Sequence, residues 1–107
     1  MQDINVLIAN ILDQIKMAEV LITIKIMPDG TETDIKNLEK LVSKEIKEFG
    51  GRIEKVEIEP VAFGLQALKI IFSLDERKGG TDALENKISD IDGVSSVEVT
   101  DVRRMIG

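Results

Sequence analysis

Two hydrophobic periodicities follow one another in a definite order between residues 20 and 102, and this order constrains the fold more than any other feature. In residues 20–27 every second position carries a β-branched residue, which predicts a strand with one buried face. Proline, aspartate and glycine at 28–30 are turn residues that end this strand. The predicted buried face comprises Val20, Ile22, Ile24 and Ile26.

A helical period follows from Ile35 to Phe49, because apolar residues recur there at intervals of three and four. Thr31 or Thr33 is placed to cap the N-terminus of this predicted helix, and the glycine pair at 50–51 ends it. Lysines and glutamates occupy the opposite side, as expected for a helix with one face in solvent. The apolar stripe comprises Ile35, Leu38, Leu41, Val42, Ile46 and Phe49.

A second strand is predicted at residues 52–59, with Val56 and Ile58 directed inward. The apolar spacing of three residues before Val56 breaks the period of two, which indicates a β-bulge near residues 54–55. Pro60 is expected to end this strand, because a proline has no N–H to donate to the ladder.

Two further strands complete the sheet. The third is predicted at residues 65–74 and the fourth at residues 94–102, with residues 103–107 as a tail. The third strand is expected to bury Leu68, Ile70, Phe72 and Leu74.

A short helix is predicted between these two strands, capped by Thr81 and ended by Gly93. The glycine pair at 79–80 before it is interpreted as a plain loop, since the full phosphate-loop pattern is missing. The apolar positions of the helix are Leu84, Ile88 and Ile91.

The predicted order of elements is therefore β-α-β-β-α-β. Two βαβ units with right-handed crossovers form an α+β ferredoxin-like sandwich. In this fold a four-stranded antiparallel sheet carries both helices on one face and leaves the other face open. Residues 17–107 are thus expected to form one domain of ordinary size.

An N-terminal extension, residues 1–16, precedes this domain and carries apolar residues at helical spacing. Two interpretations stay open for it. The segment forms an extra helix, or it derives from an upstream start codon, with Met17 as the usual start. The apolar positions of the extension are Ile4, Leu7, Ile8, Ile11, Leu12 and Ile15.

The absence of cysteine, histidine, tryptophan and tyrosine excludes several classes of function. Without cysteine or histidine there is no zinc site of the usual kind, no thiol nucleophile and no Ser-His-Asp triad. The chain carries 14 Lys plus Arg against 20 Asp plus Glu, a net charge of −6, which disfavours direct nucleic-acid binding. No membrane span or signal peptide is recognisable, so the expected location is cytoplasmic.

Two features suggest binding to a partner. Phe63 lies beside Gly64 in the connection between the second and third strands, where small polar residues are usual. Its ring either folds back over the end of the core or serves as an exposed anchor for a partner. Arg103 and Arg104 either solubilise the tail or contact a phosphate or carboxylate on a partner. The residues alone thus predict a small acidic α/β binding module.

Three segments closely resemble the archaeal-type translation elongation factor 1-beta family. They are residues 17–28 (MAEVLITIKIMP), residues 59–68 (EPVAFGLQAL) and residues 93–105 (GVSSVEVTDVRRM). The resemblance runs from Met17 to the end of the chain in unbroken order. The combination of the central and closing segments makes it specific.

The resemblance implies a guanine-nucleotide exchange factor that is not an enzyme. Members of this family bind the GTPase elongation factor 1-alpha and promote release of its GDP, so that GTP can enter during protein synthesis. They act by protein–protein contact, so neither a cofactor nor a metal nor a bound nucleotide is implied for the chain itself.

The resemblance also implies which residues bind the partner. Phe63 and Gly64 match the central motif, where a phenylalanine of eukaryotic relatives looks like an apolar wedge. A lysine next to the C-terminus of those relatives looks like a cation that takes the place of Mg²⁺, and this position falls on Arg104, with Arg103 beside it. The chain departs from that pattern, because arginine replaces lysine and three residues follow it instead of one.

Two other functions are compatible with the fold. A ferredoxin-like small-molecule-binding regulatory domain is one, and RNA binding through the open face of the sheet is the other, although the net charge and the lack of stacking aromatics oppose RNA. No oligomeric state is predicted. The open face is expected to present Thr23, Lys25, Ala67, Lys69 and Ile71.

Overall fold

The computed structural model describes residues 18–106, so the predictions for residues 1–16 lie outside the described residues. The elements are β1 (Ala18–Pro28), α1 (Ile35–Phe49), β2 (Arg52–Pro60), β3 (Gln66–Asp75), α2 (Asp82–Ser89) and β4 (Val94–Ile106). The four strands form one antiparallel sheet in the order β2-β3-β1-β4. This confirms the predicted β-α-β-β-α-β order and the ferredoxin-like fold.

One hydrophobic core joins both helices to the same face of the sheet, as predicted. The alternating residues of β1 and β3 supply its floor, and the apolar stripes of α1 and α2 cover them. Phe72 is the largest of the fully buried side chains. The buried core comprises Ile22, Ile24, Ile26, Leu38, Val42, Ile46, Leu68, Ile70, Phe72, Leu74, Leu84 and Ile88. No helix within residues 18–106 combines the length and the apolarity needed to cross a bilayer.

The N-terminus of α1 corrects one prediction, because Asp34 caps the helix and neither Thr31 nor Thr33 does. The Asp34 carboxylate accepts a hydrogen bond from the backbone N–H of Asn37 at 3.2 Å. The Thr33 hydroxyl instead donates to the Asp29 carboxylate at 2.9 Å, within the preceding turn.

Glycines end α1 as predicted. Gly50 has a φ of 104°, the left-handed conformation that closes many helices, and its N–H donates to the carbonyl of Lys47 at 3.0 Å. The N–H of Gly51 donates to the carbonyl of Ile46 at 2.9 Å, which satisfies a second helix-end acceptor.

The N-terminus of α2 agrees with the prediction in position only. Thr81 occupies the cap position, but its side chain makes no capping hydrogen bond to the backbone. Its hydroxyl donates to the Glu85 carboxylate at 2.9 Å. The hydroxyl is therefore occupied by a side-chain contact one turn further along the helix.

The edge strand β2 contains the predicted bulge, since the register shifts between Ile53 and Lys55. Glu54 therefore has no opposite residue in β3. The register confirms that Ile58 faces inward, because it pairs with buried Leu68 on the helix-bearing face. Ile58 is nevertheless not part of the buried core, since 43% of its surface is exposed. An edge strand has a neighbour on one side only, so its far end is less completely covered.

The strand β4 continues beyond the predicted end at residue 102 and includes residues 103–106. Arg103 pairs with Leu21 and Arg104 pairs with Val20, so both arginines belong to the sheet. The prediction of a tail at this point is wrong, because the N-terminal part of β1 extends far enough to supply hydrogen-bonding partners for these residues.

Packing at the end of α1 gives a stability prediction. A Cβ on Gly51 would lie 2.8 Å from the Cγ2 of Ile46 and 3.0 Å from the Cδ2 of Phe72, both of them buried side chains. We expect Gly51→Ala to lower the free energy of unfolding by about 1–3 kcal/mol through overpacking, measured by urea denaturation. Gly80→Ala is the matched control, since a Cβ there meets no atom within 4 Å. Equal losses in both variants would contradict the overpacking explanation.

Candidate functional site

The connection between β2 and β3 is a tight turn with an unusual residue at its tip. The backbone N–H of Val61 donates to the carbonyl of Leu65 at 2.9 Å, and the N–H of Leu65 donates to the carbonyl of Ala62 at 3.3 Å. Phe63 has a φ of 64° and Gly64 a φ of 76°. Two successive positive φ values define a type I′ turn, which favours Asn-Gly at these positions.

Phe63 is the one non-glycine residue between 18 and 106 with a positive φ. A left-handed backbone is a genuine outlier for a bulky side chain, and such strain is found mostly at functional sites. The ring is also 94% exposed, so the alternative in which it folds over the end of the core is wrong. The turn therefore holds an aromatic side chain in solvent at a cost in backbone energy.

Gly64 is suited to this turn by its conformation and not by a shortage of space. A Cβ at this position would lie 3.6 Å from the Cγ2 of Thr31, which is an ordinary contact distance. Its positive φ is what favours glycine. The closeness to Thr31 also shows that the Phe63 turn lies beside the loop between β1 and α1.

An acidic cavity of about 540 Å³ lies at the same end of the sheet as the Phe63 turn. It opens between the loop after β1 and the loop before β4, which are joined by a hydrogen bond from the Asp29 N–H to the Gly93 carbonyl at 2.9 Å. Within residues 18–106 no grouping of acidic side chains is suited to hold a metal ion. The carboxylates that line the cavity are Asp29, Glu32, Asp34 and Asp92.

The two neighbouring arginines of β4 face opposite sides of the sheet, since successive residues of a strand alternate. Arg103 lies on the open face, where its Nε donates to the Asp101 carboxylate at 2.9 Å. Arg104 lies on the face that carries the helices, where its Nε donates to the Glu76 carboxylate at 3.1 Å. One partner group therefore cannot engage both guanidinium groups from one side.

The structure does not bring Phe63 and the arginines together. The Phe63 turn adjoins the start of β3 at Gln66, whereas Arg103 lies in the row that crosses β3 at Ser73. The seven residue-to-residue steps from Gln66 to Ser73 span about 23 Å at about 3.3 Å per step. The candidate site therefore consists of two separate ends of one sheet.

All four arginines of the chain lie at the end opposite Phe63. Arg52 begins β2 and Arg77 follows β3, so both lie at the same end of the sheet as Arg103 and Arg104, although β2 and β4 are its opposite edges. Each one forms an ion pair with a carboxylate of its own: Arg52 with Glu54 at 2.8 Å, Arg77 with Asp75 at 2.9 Å, Arg103 with Asp101 at 2.9 Å and Arg104 with Glu76 at 3.1 Å.

Glu76 is a residue that the sequence analysis missed. It lies 28 positions before Arg104, and only the pairing of β1 with both β3 and β4 makes the two neighbours. The sequence offers no local signal for this contact. The topology could have supplied one, because the end of β3 and the end of β4 flank the start of β1.

The open face presents ion pairs and not an uncompensated basic patch. Lys25 lies 3.8 Å from the Glu59 carboxylate, and Lys55 lies 2.8 Å from that of Glu57. The pKa of Glu57 is held below its usual range, mainly by the hydrogen bond from Lys55 and next by the positive charge of Lys55. The charge of Lys69 adds to this effect.

Two of the five residues expected on the open face are not accessible there. The strand register confirms that all five share one face, but Thr23 is 8% exposed and Ala67 is fully buried. The lysines of this face that form ion pairs already have carboxylate partners, and the small residues between them are buried. The face therefore has few free cations to bind the phosphates of an RNA backbone.

Comparison with known proteins gives a consistent result. Residues 21–105 match the model of the EF-1 guanine nucleotide exchange domain family. The chain is 43% identical over 90 residues to elongation factor 1-beta of Methanothermobacter thermautotrophicus, covering 84% of this chain and 100% of the relative. It is 42% identical over 90 residues to elongation factor 1-beta of Staphylothermus marinus, covering 83% of this chain and 99% of the relative.

A solved structure shares the fold at low sequence identity. The ACT domain from the GTP pyrophosphokinase of Chlorobium tepidum superposes with a TM-score of 0.54 at 17% identity. The similarity covers 76% of this chain and 97% of that domain. At this identity the likeness concerns the architecture alone, so it gives no support to a small-molecule-binding function.

The geometry of the Phe63 turn predicts an unusual stability effect. Asparagine tolerates the left-handed conformation, so we expect Phe63→Asn to keep or raise the free energy of unfolding, by up to about 1 kcal/mol. Phe63→Val places a β-branched residue in the same conformation, and we expect a loss of about 1–2 kcal/mol. Urea denaturation measures both. A less stable Asn variant would show instead that the phenylalanine ring packs against the fold.

Proposed function

Because the chain belongs to the EF-1 guanine nucleotide exchange domain family, we propose that it acts as an elongation factor 1-beta, promoting exchange of GDP for GTP on elongation factor 1-alpha. The observation that carries this proposal is the Phe63 turn, which lies inside the matched segment and exposes 94% of a strained aromatic residue. The activity belongs to protein synthesis and is therefore placed in the cytoplasm.

Exchange of this kind requires contact and no covalent step. A GTPase holds its nucleotide through phosphate contacts and Mg²⁺. A partner that binds the nucleotide-free GTPase more tightly than the GDP-bound form must weaken GDP binding by the same factor, because the coupling is reciprocal. The chain thus needs a surface that fits the nucleotide-free state.

Phe63 supplies the apolar part of that surface. An exposed aromatic ring that enters a pocket on the partner buries a large apolar area, which is the usual composition of a binding hot spot. The type I′ turn fixes the backbone on both sides of the ring. Less conformational entropy is then lost when the ring binds, since part of the ordering has already occurred on folding.

Arg104 supplies a cation at the other end of the sheet. A guanidinium group suits a phosphate or a carboxylate, as found at a GTPase nucleotide site. Val102 precedes it on the same face of β4 and is 59% exposed, so an apolar contact is available beside the charge. The two ends, about 23 Å apart along the strands, contact separate regions of the partner.

The exchange assay tests this proposal directly. Catalytic amounts of the chain are expected to accelerate release of labelled GDP from elongation factor 1-alpha in the presence of excess GTP. Phe63→Ala is expected to lower the exchange efficiency by about tenfold or more, as for a hot-spot residue, without loss of folding.

Leu41→Ala is the matched control for this experiment. Leu41 is also a large apolar residue, 39% exposed, but it lies on α1 away from the Phe63 turn. We expect its truncation to leave exchange unchanged. An unaltered rate in a folded Phe63→Ala variant would eliminate the wedge, and no acceleration by the wild-type chain would eliminate the exchange function.

A further inference from the structure

The ion pair between Arg104 and Glu76 joins the end of β4 to the turn that follows β3. We propose that Glu76 is a positioning residue for exchange: it holds Arg104 by one nitrogen and directs the rest of its guanidinium group toward an oxyanion at the nucleotide site of the GTPase. This inference rests on the proposed exchange function and extends it. Glu76 lies outside the three segments that carry the family resemblance.

The backbone of Glu76 is held by a network of local hydrogen bonds. Glu76 begins a 3₁₀ turn that ends at Lys78. The Asp75 carboxylate accepts a hydrogen bond from the backbone N–H of Arg77 at 2.9 Å, and it also accepts from the Nε and Nη2 of Arg77 at 3.2 and 2.9 Å. The N–H of Gly79 closes the turn on the Glu76 carbonyl at 3.3 Å. The carboxylate of Glu76 therefore projects from an ordered segment.

The Arg104 side chain reaches this carboxylate across the end of β1. Arg104 pairs with Val20, and the residue before Glu76 pairs with Glu19, so β1 lies between the two partners. The Nε of Arg104 and the Oε2 of Glu76 are 3.1 Å apart. The two side chains are 61% and 38% exposed, and an ion pair this exposed adds little to stability. The effect of the ion pair is instead to fix the direction of the Arg104 side chain.

The contact leaves most of the guanidinium group available. A guanidinium group carries five N–H donors, and the Nε accounts for one of them. The terminal amino groups of Arg104 make no hydrogen bond to any residue within 18–106. They form the end-on fork that binds a phosphate or a carboxylate through two parallel hydrogen bonds. An arginine already held by its Nε loses less rotamer freedom on binding than a mobile one.

The neighbouring ion pair provides an internal control. Arg103 also donates through its Nε to a carboxylate, that of Asp101, at 2.9 Å. This pair lies on the open face and within one strand, so it does not orient Arg104. Removal of either carboxylate deletes one surface ion pair of the same type. Only the loss of Glu76 is expected to affect exchange.

The experiment measures GDP release from elongation factor 1-alpha with single and double variants of the full chain. We expect Glu76→Ala to lower the turnover rate at saturating GTPase by about three- to tenfold, since a mispositioned group costs rate more than affinity. Glu76→Gln is expected to stay within about twofold of the wild type, because its amide oxygen still accepts from the Nε. Asp101→Ala should exchange at the wild-type rate, and the thermal midpoints of all variants should agree.

A double-mutant cycle separates positioning from independent contact with the partner. If Glu76 acts through Arg104, the variant that combines Glu76→Ala with Arg104→Ala exchanges no more slowly than Arg104→Ala alone. Additive losses would overturn the inference, as would a Glu76→Ala variant with wild-type turnover. Wild-type acceleration together with full activity of Arg104→Ala would also overturn it while leaving the exchange function intact. No acceleration by the wild type would overturn the exchange function itself.

Binding measurements identify the oxyanion. Loss of affinity of Arg104→Ala for the nucleotide-free GTPase indicates a carboxylate of the GTPase, because no phosphate is present in that complex. A loss confined to the GDP-bound complex indicates a phosphate of the nucleotide, and it would overturn the role of Arg104 in exchange, because a contact made only in that complex strengthens GDP binding. Unchanged affinity for both forms would count against an oxyanion contact of Arg104.

Discussion

The antiparallel pairing of β4 with β1 is the contact on which the placement of the arginines depends. The register shifts between Thr23 and Ile24, so that Thr100 is an extra residue in β4. One residue more or less in a strand exchanges the two faces for everything that follows. Without this bulge Arg103 would lie on the helix-bearing face and Arg104 on the open face. The bulge therefore decides which arginine meets Glu76.

The same pairing explains why the candidate site is divided. In an antiparallel sheet the turn between β2 and β3 lies at one end of the strands, and the last residues of β4 lie at the other end. One end thus combines an exposed aromatic ring with carboxylates, while the other gathers every arginine of the chain. The aromatic ring at one end and the guanidinium groups at the other suit recognition by shape and charge.

The sequence predicts the fold well because each element carries its own periodicity, as the alternation in β1 and the stripe of α1 show. It predicts the β2 bulge from an apolar spacing of three, and the same spacing recurs from Val99 to Val102, where the β4 bulge lies. The cap of α1 was mispredicted because several residues before the helix have suitable side chains. The extent of β4 depends on tertiary pairing, which has no local signal at Arg103. The conformation of Phe63 is likewise a property of the folded turn, although a phenylalanine before a glycine at a hairpin tip is visible in the sequence.

The charges on β4 have a consequence beyond recognition. β4 is an edge strand of 13 residues, long enough for another chain to add to the sheet and start aggregation. Glu98, Asp101 and the two arginines interrupt this edge with side chains of both signs. A second copy approaching in the antiparallel direction would have to desolvate these charges and break their ion pairs. The residues that serve a partner at this end therefore also act as gatekeepers that help keep the sheet four strands wide.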